Sequence, residues 1–187
     1  MYFLQASQKR FLSSLNPVLL GLFVYFLIVF RSTSEFSFPT LLRRWDLLLP
    51  FVIYVGQRRT VVEGLLLVLF MSHLFSLSSS APIGVFAIHY LVIFLVARFL
   101  VYGIYANTWL SILGLIFLLG LLSRVTLPLI AGFFNHGWPI LTFRNFPPLS
   151  LFLNAVFGLL TYRCLGLIDQ MTYKVAPLNI ELSENYL

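Results

Sequence analysis

Two histidines, His73 and His89, bracket a serine run and a proline in the stretch HLFSLSSSAPIGVFAIHY, residues 73–90. His73 falls about one helical turn before the end of one apolar run, and His89 about two turns into the next. In an antiparallel hairpin the two imidazoles would face each other, and such a pair has the chemistry to bind a haem or a metal ion. The competing reading is that each histidine hydrogen-bonds across helices, with Ser72 and Ser76 within reach of His73. The residues favour this second reading. No third ligand of zinc type accompanies the pair, and there is no His-Glu-x-x-His. No cofactor and no metal are expected.

The carboxylates offer little acid–base chemistry. The chain has six acidic residues in all. Glu63 follows the Arg58-Arg59 turn, where it complements a helix dipole and stands at i, i+4 from Arg59. Asp46 has the same position at the start of the preceding apolar run. Asp169 ends the last run, beside water. There is no Gly-x-Ser-x-Gly elbow, no P-loop and no glycine-rich dinucleotide turn. The chain is therefore not expected to be an enzyme.

The elements that must carry these residues follow from composition. The sequence of 187 residues is 60% hydrophobic and only 10% charged, with a mean hydropathy of +0.96. A water-soluble fold of this size could not hide so much Leu and Phe, so lipid is the expected solvent for most of it. The net charge of +6 is spread along the chain, which suits cytoplasmic-side anchors and not nucleic acid. With Cys164 the only cysteine, an intrachain disulfide and a thiolate cluster are both excluded.

Hydropathy predicts an all-α, six-span bundle in a single transmembrane domain covering 1–187, with a polar tail from about residue 170. Span one is Phe11 to Phe30, read as retained because no small-residue cleavage site follows it. The second run, Trp45 to Gly56, is short and carries Pro50, so it is either broken or extended backward through Leu41 and Leu42. Spans three to six are Val61 to Leu77, Ile83 to Tyr102, Thr108 to Ile130 and Pro147 to Ile168. Between spans three and four, Ser80 reads as an N-cap and Pro82 as a first-turn residue. Arg98 and Arg124 lie near span ends, where they can snorkel to the headgroups.

With the N-terminus inside, the inner side collects Lys9, Arg10, Arg58, Arg59, Arg98, Arg163 and Lys174. The outer side collects Arg31, Arg43, Arg44, Arg124 and Arg144. That bias places both termini in the cytoplasm. In span six, Asn154, Gly158 and Thr161 share one face, as a helix-packing seam does; a substrate pathway could use the same face, but packing is favoured. The outer connection GFFNHGWPILTFRNFPP, residues 132–148, is too apolar for a solvated loop. Trp138 and Phe143 in it are candidate partner contacts.

The segment from Asp46 to Leu100 resembles the MreD family, small polytopic rod shape-determining proteins of bacteria. The resemblance lies in the short apolar run, the charged turn GQRR, the helix that follows and a serine turn. It is completed by the Pro-hydrophobic-Gly helix start, here Pro82, Ile83 and Gly84. Arg98 ends the next span as a basic residue does in the family. One feature departs: the family often has an acidic residue where Ser72-His73 stand here. The resemblance implies a non-enzymatic scaffold or assembly subunit of the cell-elongation (peptidoglycan) machinery of the inner membrane. Its partners would be membrane lipids, an MreC-like protein, MreB, and RodA with its transpeptidase.

The family's fold is similar to the S components of energy-coupling-factor transporters, and a substrate-binding S component is the alternative. Its ligand would lie in an outer groove among His73, His89, Asn135, His136, Trp138 and Arg144. Against it, span one reads NPVLLGLFVYF and lacks the alanine-x-x-x-alanine packing motif of such proteins.

Overall fold

A computed structural model describes residues 2–37, 46–79, 82, 84–103, 109–134 and 148–174. These residues are all-helical. They form α1 (Tyr2–Ser37), α2 (Leu49–Arg58), α3 (Val61–Leu77), α4 (Val85–Gly103), α5 (Trp109–Phe134) and α6 (Pro148–Met171). Stretches of three of them are long and apolar enough to cross a membrane: Phe11–Thr33, Trp109–Phe134 and Leu151–Met171. Val61–Leu77 and Val85–Leu100 are shorter apolar helices. Large apolar side chains point outward along the bundle; Phe99, for example, is 78% exposed. Such an exterior suits hydrocarbon, not water. The chain is a helical membrane protein.

The short second run is the centre of the molecule. Every residue of α2 from Leu49 to Gln57 is buried. A helix apolar on all sides belongs inside a bundle, and α2 packs against α3, α4, α5 and α6. Small residues allow the approach. A Cβ on Gly56 would stand 3.2 Å from the Cβ of Ala97 on α4. The other helices turn a single stripe toward this core. On α3 the stripe is Gly64, Leu67, Val68, Met71, Ser72 and Phe75. On α5 it is Ile112, Leu115, Ile116, Leu119, Gly120 and Ser123. Both follow the 3.6-residue helical period.

Local chemistry sets the boundaries. The N-cap of α3 is Thr60, whose hydroxyl accepts from the Glu63 amide, half of a capping box. The loop before α4 turns at Gly84, whose φ of +101° suits glycine alone. Helix α4 therefore begins at Val85, and Pro82 lies before the helix, not in its first turn. Its carbonyl accepts from the Val85 amide at 3.3 Å. Ser80 lies outside the described residues. Several helices run beyond their apolar stretches: α1 covers Tyr2–Ser37, and α5 continues through Phe134, into what hydropathy assigned to the outer connection.

Successive helices alternate in direction. One end of the bundle joins Asn16 of α1, the α2–α3 turn, the end of α4 and the end of α6. The other joins Asp46 to Tyr90 of α4 and Ser123 of α5. The ammonium of Lys9 lies 5.4 Å from the ring centroid of Tyr173, so the two ends of the described chain meet at one face.

Candidate functional site

Two buried polar clusters close the two ends of α2. Polar groups taken out of both water and lipid must find partners in the protein. Their arrangement therefore reads directly as a hydrogen-bond ledger.

The first cluster surrounds Arg59. The backbone makes Arg59 the C-cap of α2, with its amide bonded to Val55 O at 3.1 Å. A cation there complements the helix dipole. Its side chain is completely buried, although it stands in the charged turn GQRR between α2 and α3. The guanidinium Nη2 donates to Asp169 Oδ1 and, at 2.8 Å, to Asn16 Oδ1. Asn16 Nδ2 donates to Asp169 Oδ1 at 2.8 Å and to Thr172 Oγ1 at 2.6 Å. The Tyr54 hydroxyl donates to Asp169 Oδ2. Asp169 is thus inside the bundle, not beside water.

Around this centre, Glu63 Oε1 lies 3.7 Å from Arg59 Nε and 3.2 Å from Lys174 Nζ. Arg98 donates to Arg59 O at 2.7 Å instead of snorkelling outward. Tyr162 donates to Gln57 Oε1 at 2.6 Å and accepts from Arg58 Nε at 3.4 Å. Helices α1, α2, α3, α4 and α6 all contribute.

The second cluster surrounds Asp46. Its Oδ1 accepts from the Leu48 and Leu49 amides at 3.3 and 3.2 Å, capping α2. It also accepts from the Tyr90 hydroxyl at 2.9 Å. Its Oδ2 accepts from Ser123 at 3.3 Å. Ser123 Oγ also lies 3.2 Å from His89 Nε2, and Thr126 Oγ1 lies 2.9 Å from His89 Nδ1. With a neutral imidazole, one arrangement of protons satisfies all three contacts. Thr126 donates to Nδ1, Nε2–H donates to Ser123, and Ser123 donates to Asp46.

These residues include a serine, a histidine and an aspartate, but their order is not that of a nucleophilic triad. There the carboxylate holds the imidazole Nδ1–H. Here Asp46 bonds the serine, and Thr126 occupies Nδ1. Ser123 and His89 are both buried. The geometry is that of interhelical hydrogen bonding.

The sequence-predicted residues divide accordingly. His73 and His89 do not face each other: His73 is exposed on α3, while His89 is enclosed by α5 partners. Ser72 bonds Val68 O at 2.7 Å. Asn154, Gly158 and Thr161 are all buried along α6. A Cβ on Gly158 would meet Ile116 Cγ2 at 2.9 Å and Pro50 Cγ at 3.0 Å. His136, Trp138, Phe143 and Arg144 lie outside the described residues, as does Asn135. Among the described residues no group of three or more His, Cys, Asp or Glu is placed to hold a metal ion.

Sequence reasoning missed Asn16, Tyr54, Asp169 and Thr172. A signal was present. The α6 stripe Asn154, Gly158, Thr161 continues at helical spacing to Leu165 and Asp169. The α1 core stripe Leu20, Val24, Leu27 begins one turn earlier, at Asn16.

No protein-family model, curated protein or solved structure matches this chain.

Proposed function

We propose that this chain is a membrane scaffold subunit of MreD type, serving the bacterial cell-elongation machinery. In this reading it binds an MreC-like partner, and through it MreB and RodA with its transpeptidase. It does no bond chemistry.

The observation that carries the reading is the pair of clusters that clamp α2. Arg59, Asp169, Asn16 and Tyr54 at one end, and Asp46, His89, Tyr90 and Ser123 at the other, are joined to one another by hydrogen bonds. Ionisable residues at membrane depth serve a pathway or hold helices together; here each is tied into the packing. The result is a pre-formed bundle with apolar outer faces, which suits association more than turnover.

The MreD resemblance runs from Asp46 through the GQRR turn to the Pro82–Gly84 start and Arg98. That segment holds α2, the Asp46 and Arg59 centres of its two clamps, and helices α3 and α4. In this reading the helices alternate in direction across the inner membrane, with the short α2, 10 residues long, enclosed among the others. The end rich in Lys9, Arg58, Arg59, Arg98 and Lys174 faces the cytoplasm. Both termini are on that side.

The test is purification from native membranes in mild detergent, with co-purifying proteins and small molecules identified by mass spectrometry. Recovery of an MreC-like protein with wall-synthesis enzymes is the expected result. Recovery of an energy-coupling ATPase module with a bound small molecule would overturn it in favour of a transporter S component.

A further inference from the structure

Between α1 and α3 runs a groove of about 870 Å³. Pro17, Gly21 and Tyr25 line it on one side, and Glu63, Leu66 and Phe70 on the other. Apart from Thr60, Glu63 and the hydroxyl of Tyr25, its lining is apolar. Gly21 deepens the floor, because only a hydrogen stands where a Cβ would lie 3.5 Å from the Phe70 ring. The walls open outward: Leu22 is 61% exposed and Leu66 64%. From Thr60 to Leu74 the groove follows α3 for roughly 21 Å. One leaflet of a bilayer is roughly 15 Å of hydrocarbon, so an acyl chain with some tilt spans the groove.

The polar end identifies the occupant. Thr60 and Glu63 mark it, and Lys174 reaches Glu63 there at 3.2 Å. Lys9, exposed, stands over Tyr173, the residue before Lys174. Lys9, Arg58, Arg59, Arg98 and Lys174 gather at this end of the bundle against the two carboxylates Glu63 and Asp169. Among the described residues the excess is positive, at the end of the bundle where the groove has its polar mouth. A partner helix laid there would instead have to cover the Glu63–Lys174 ion pair at a desolvation cost.

We propose that the α1–α3 groove holds an acyl chain of an anionic phospholipid, with the phosphate seated against Lys9 and Lys174. Glu63 positions Lys174 at the mouth, and Arg59 behind it is already neutralised by Asp169.

The experiment reconstitutes the full chain in phosphatidylcholine nanodiscs. These carry either a phosphatidylglycerol or a phosphatidylcholine probe with a photoreactive group on the acyl chain, and adducts are mapped by mass spectrometry. The phosphatidylglycerol probe should label Val18, Leu22 and Leu66 well above the exposed α5 positions Leu110 and Leu118. Each lysine beside an anionic headgroup is worth about fivefold in binding. Lys9→Gln with Lys174→Gln should therefore lower labelling of the groove by phosphatidylglycerol about tenfold or more, and leave the phosphatidylcholine signal unchanged.

Filling the groove by Gly21→Leu should abolish labelling by both probes. If that variant does not fold, Leu66→Trp at an exposed position makes the same test. Equal labelling of α5 and the groove, or labelling that survives both filling variants, overturns the proposal. So does equal labelling of the wild-type groove by the two probes. With a photoreactive amino acid at Leu66 in native membranes, an adduct with a protein in place of a lipid would overturn the proposal and assign the groove to a partner helix.

Discussion

Arg59 and Asp169, 110 residues apart, form a buried ion pair that ties the end of α2 to the end of α6. The arginine side chain has no exposure and the aspartate only 10%. Asn16 bonds both partners, so α1 is held by the same contact. Two charges taken out of solvent cost several kcal/mol each, and their attraction repays this only with good geometry and further hydrogen bonds. Tyr54 and Asn16 supply those further bonds.

Removing one partner should therefore be worse than removing both. Asp169→Leu leaves the buried guanidinium without its closest carboxylate, with only Glu63 Oε1 3.7 Å from Nε, at a cost of about 3–5 kcal/mol. Arg59→Met combined with Asp169→Leu replaces the pair with apolar volume and should recover much of that loss. Unfolding of the single and double variants in mixed detergent micelles gives the coupling energy. A double variant as unstable as the sum of the singles would contradict the assignment.

Much of the bundle is legible in the sequence, and the reason is physical. The span Val61 to Leu77 coincides with α3, because Thr60 and Glu63 form a cap that ends the preceding turn chemically. The ends of α1 and α5 are less legible, because nothing in hydropathy stops a helix where the apolar run stops. The polar centre was hidden for a different reason. Arg59 and Asp169 each sit at the end of an apolar run, where solvent is the default reading. Only their tertiary partners place them inside. His89 shows the same limit: the hairpin reading paired it with His73, while its hydrogen bonds go to α5.

At Gly158 the seam between α6, α5 and α2 leaves no room for a methyl group. A Cβ would lie 2.9 Å from Ile116 Cγ2 and 3.0 Å from Pro50 Cγ. Gly158→Ala should cost about 1–3 kcal/mol by overpacking, and Gly158→Leu should displace α6. Gly166, on the same helix, has nothing within 4 Å of an added Cβ. Gly166→Ala should gain up to about 1 kcal/mol from helix propensity. Thermal unfolding in detergent compares the two, and equal effects would mean that the seam is misplaced.

The two histidines should separate in the same assay. His73 is exposed on α3, so His73→Ala should change stability by less than about 0.5 kcal/mol. His89→Ala leaves Thr126 without its imidazole partner and opens a void beside Ser123 and Tyr90. A loss of about 1–3 kcal/mol is expected. Equal behaviour of the two variants would be incompatible with the observed packing.

Gly84 isolates a backbone effect from packing. Its φ is +101°, yet an added Cβ would meet nothing within 4 Å. Any penalty for Gly84→Ala must then come from forcing an L-residue into the left-handed region, at a cost of about 1–3 kcal/mol. The carbonyl of Gly84 accepts the Ile88 amide at 2.9 Å, in the first turn of α4. Strain at Gly84 should therefore loosen the start of that helix, two turns or less from His89. Hydrogen exchange in micelles should show faster exchange at Val85 to His89 in Gly84→Ala, with the middle of α4 unchanged. A D-alanine introduced at the same position by semisynthesis accepts positive φ and should restore protection. Failure of D-alanine to rescue would mean that the turn tolerates no side chain at all, and that the open space beside Gly84 is filled in the membrane.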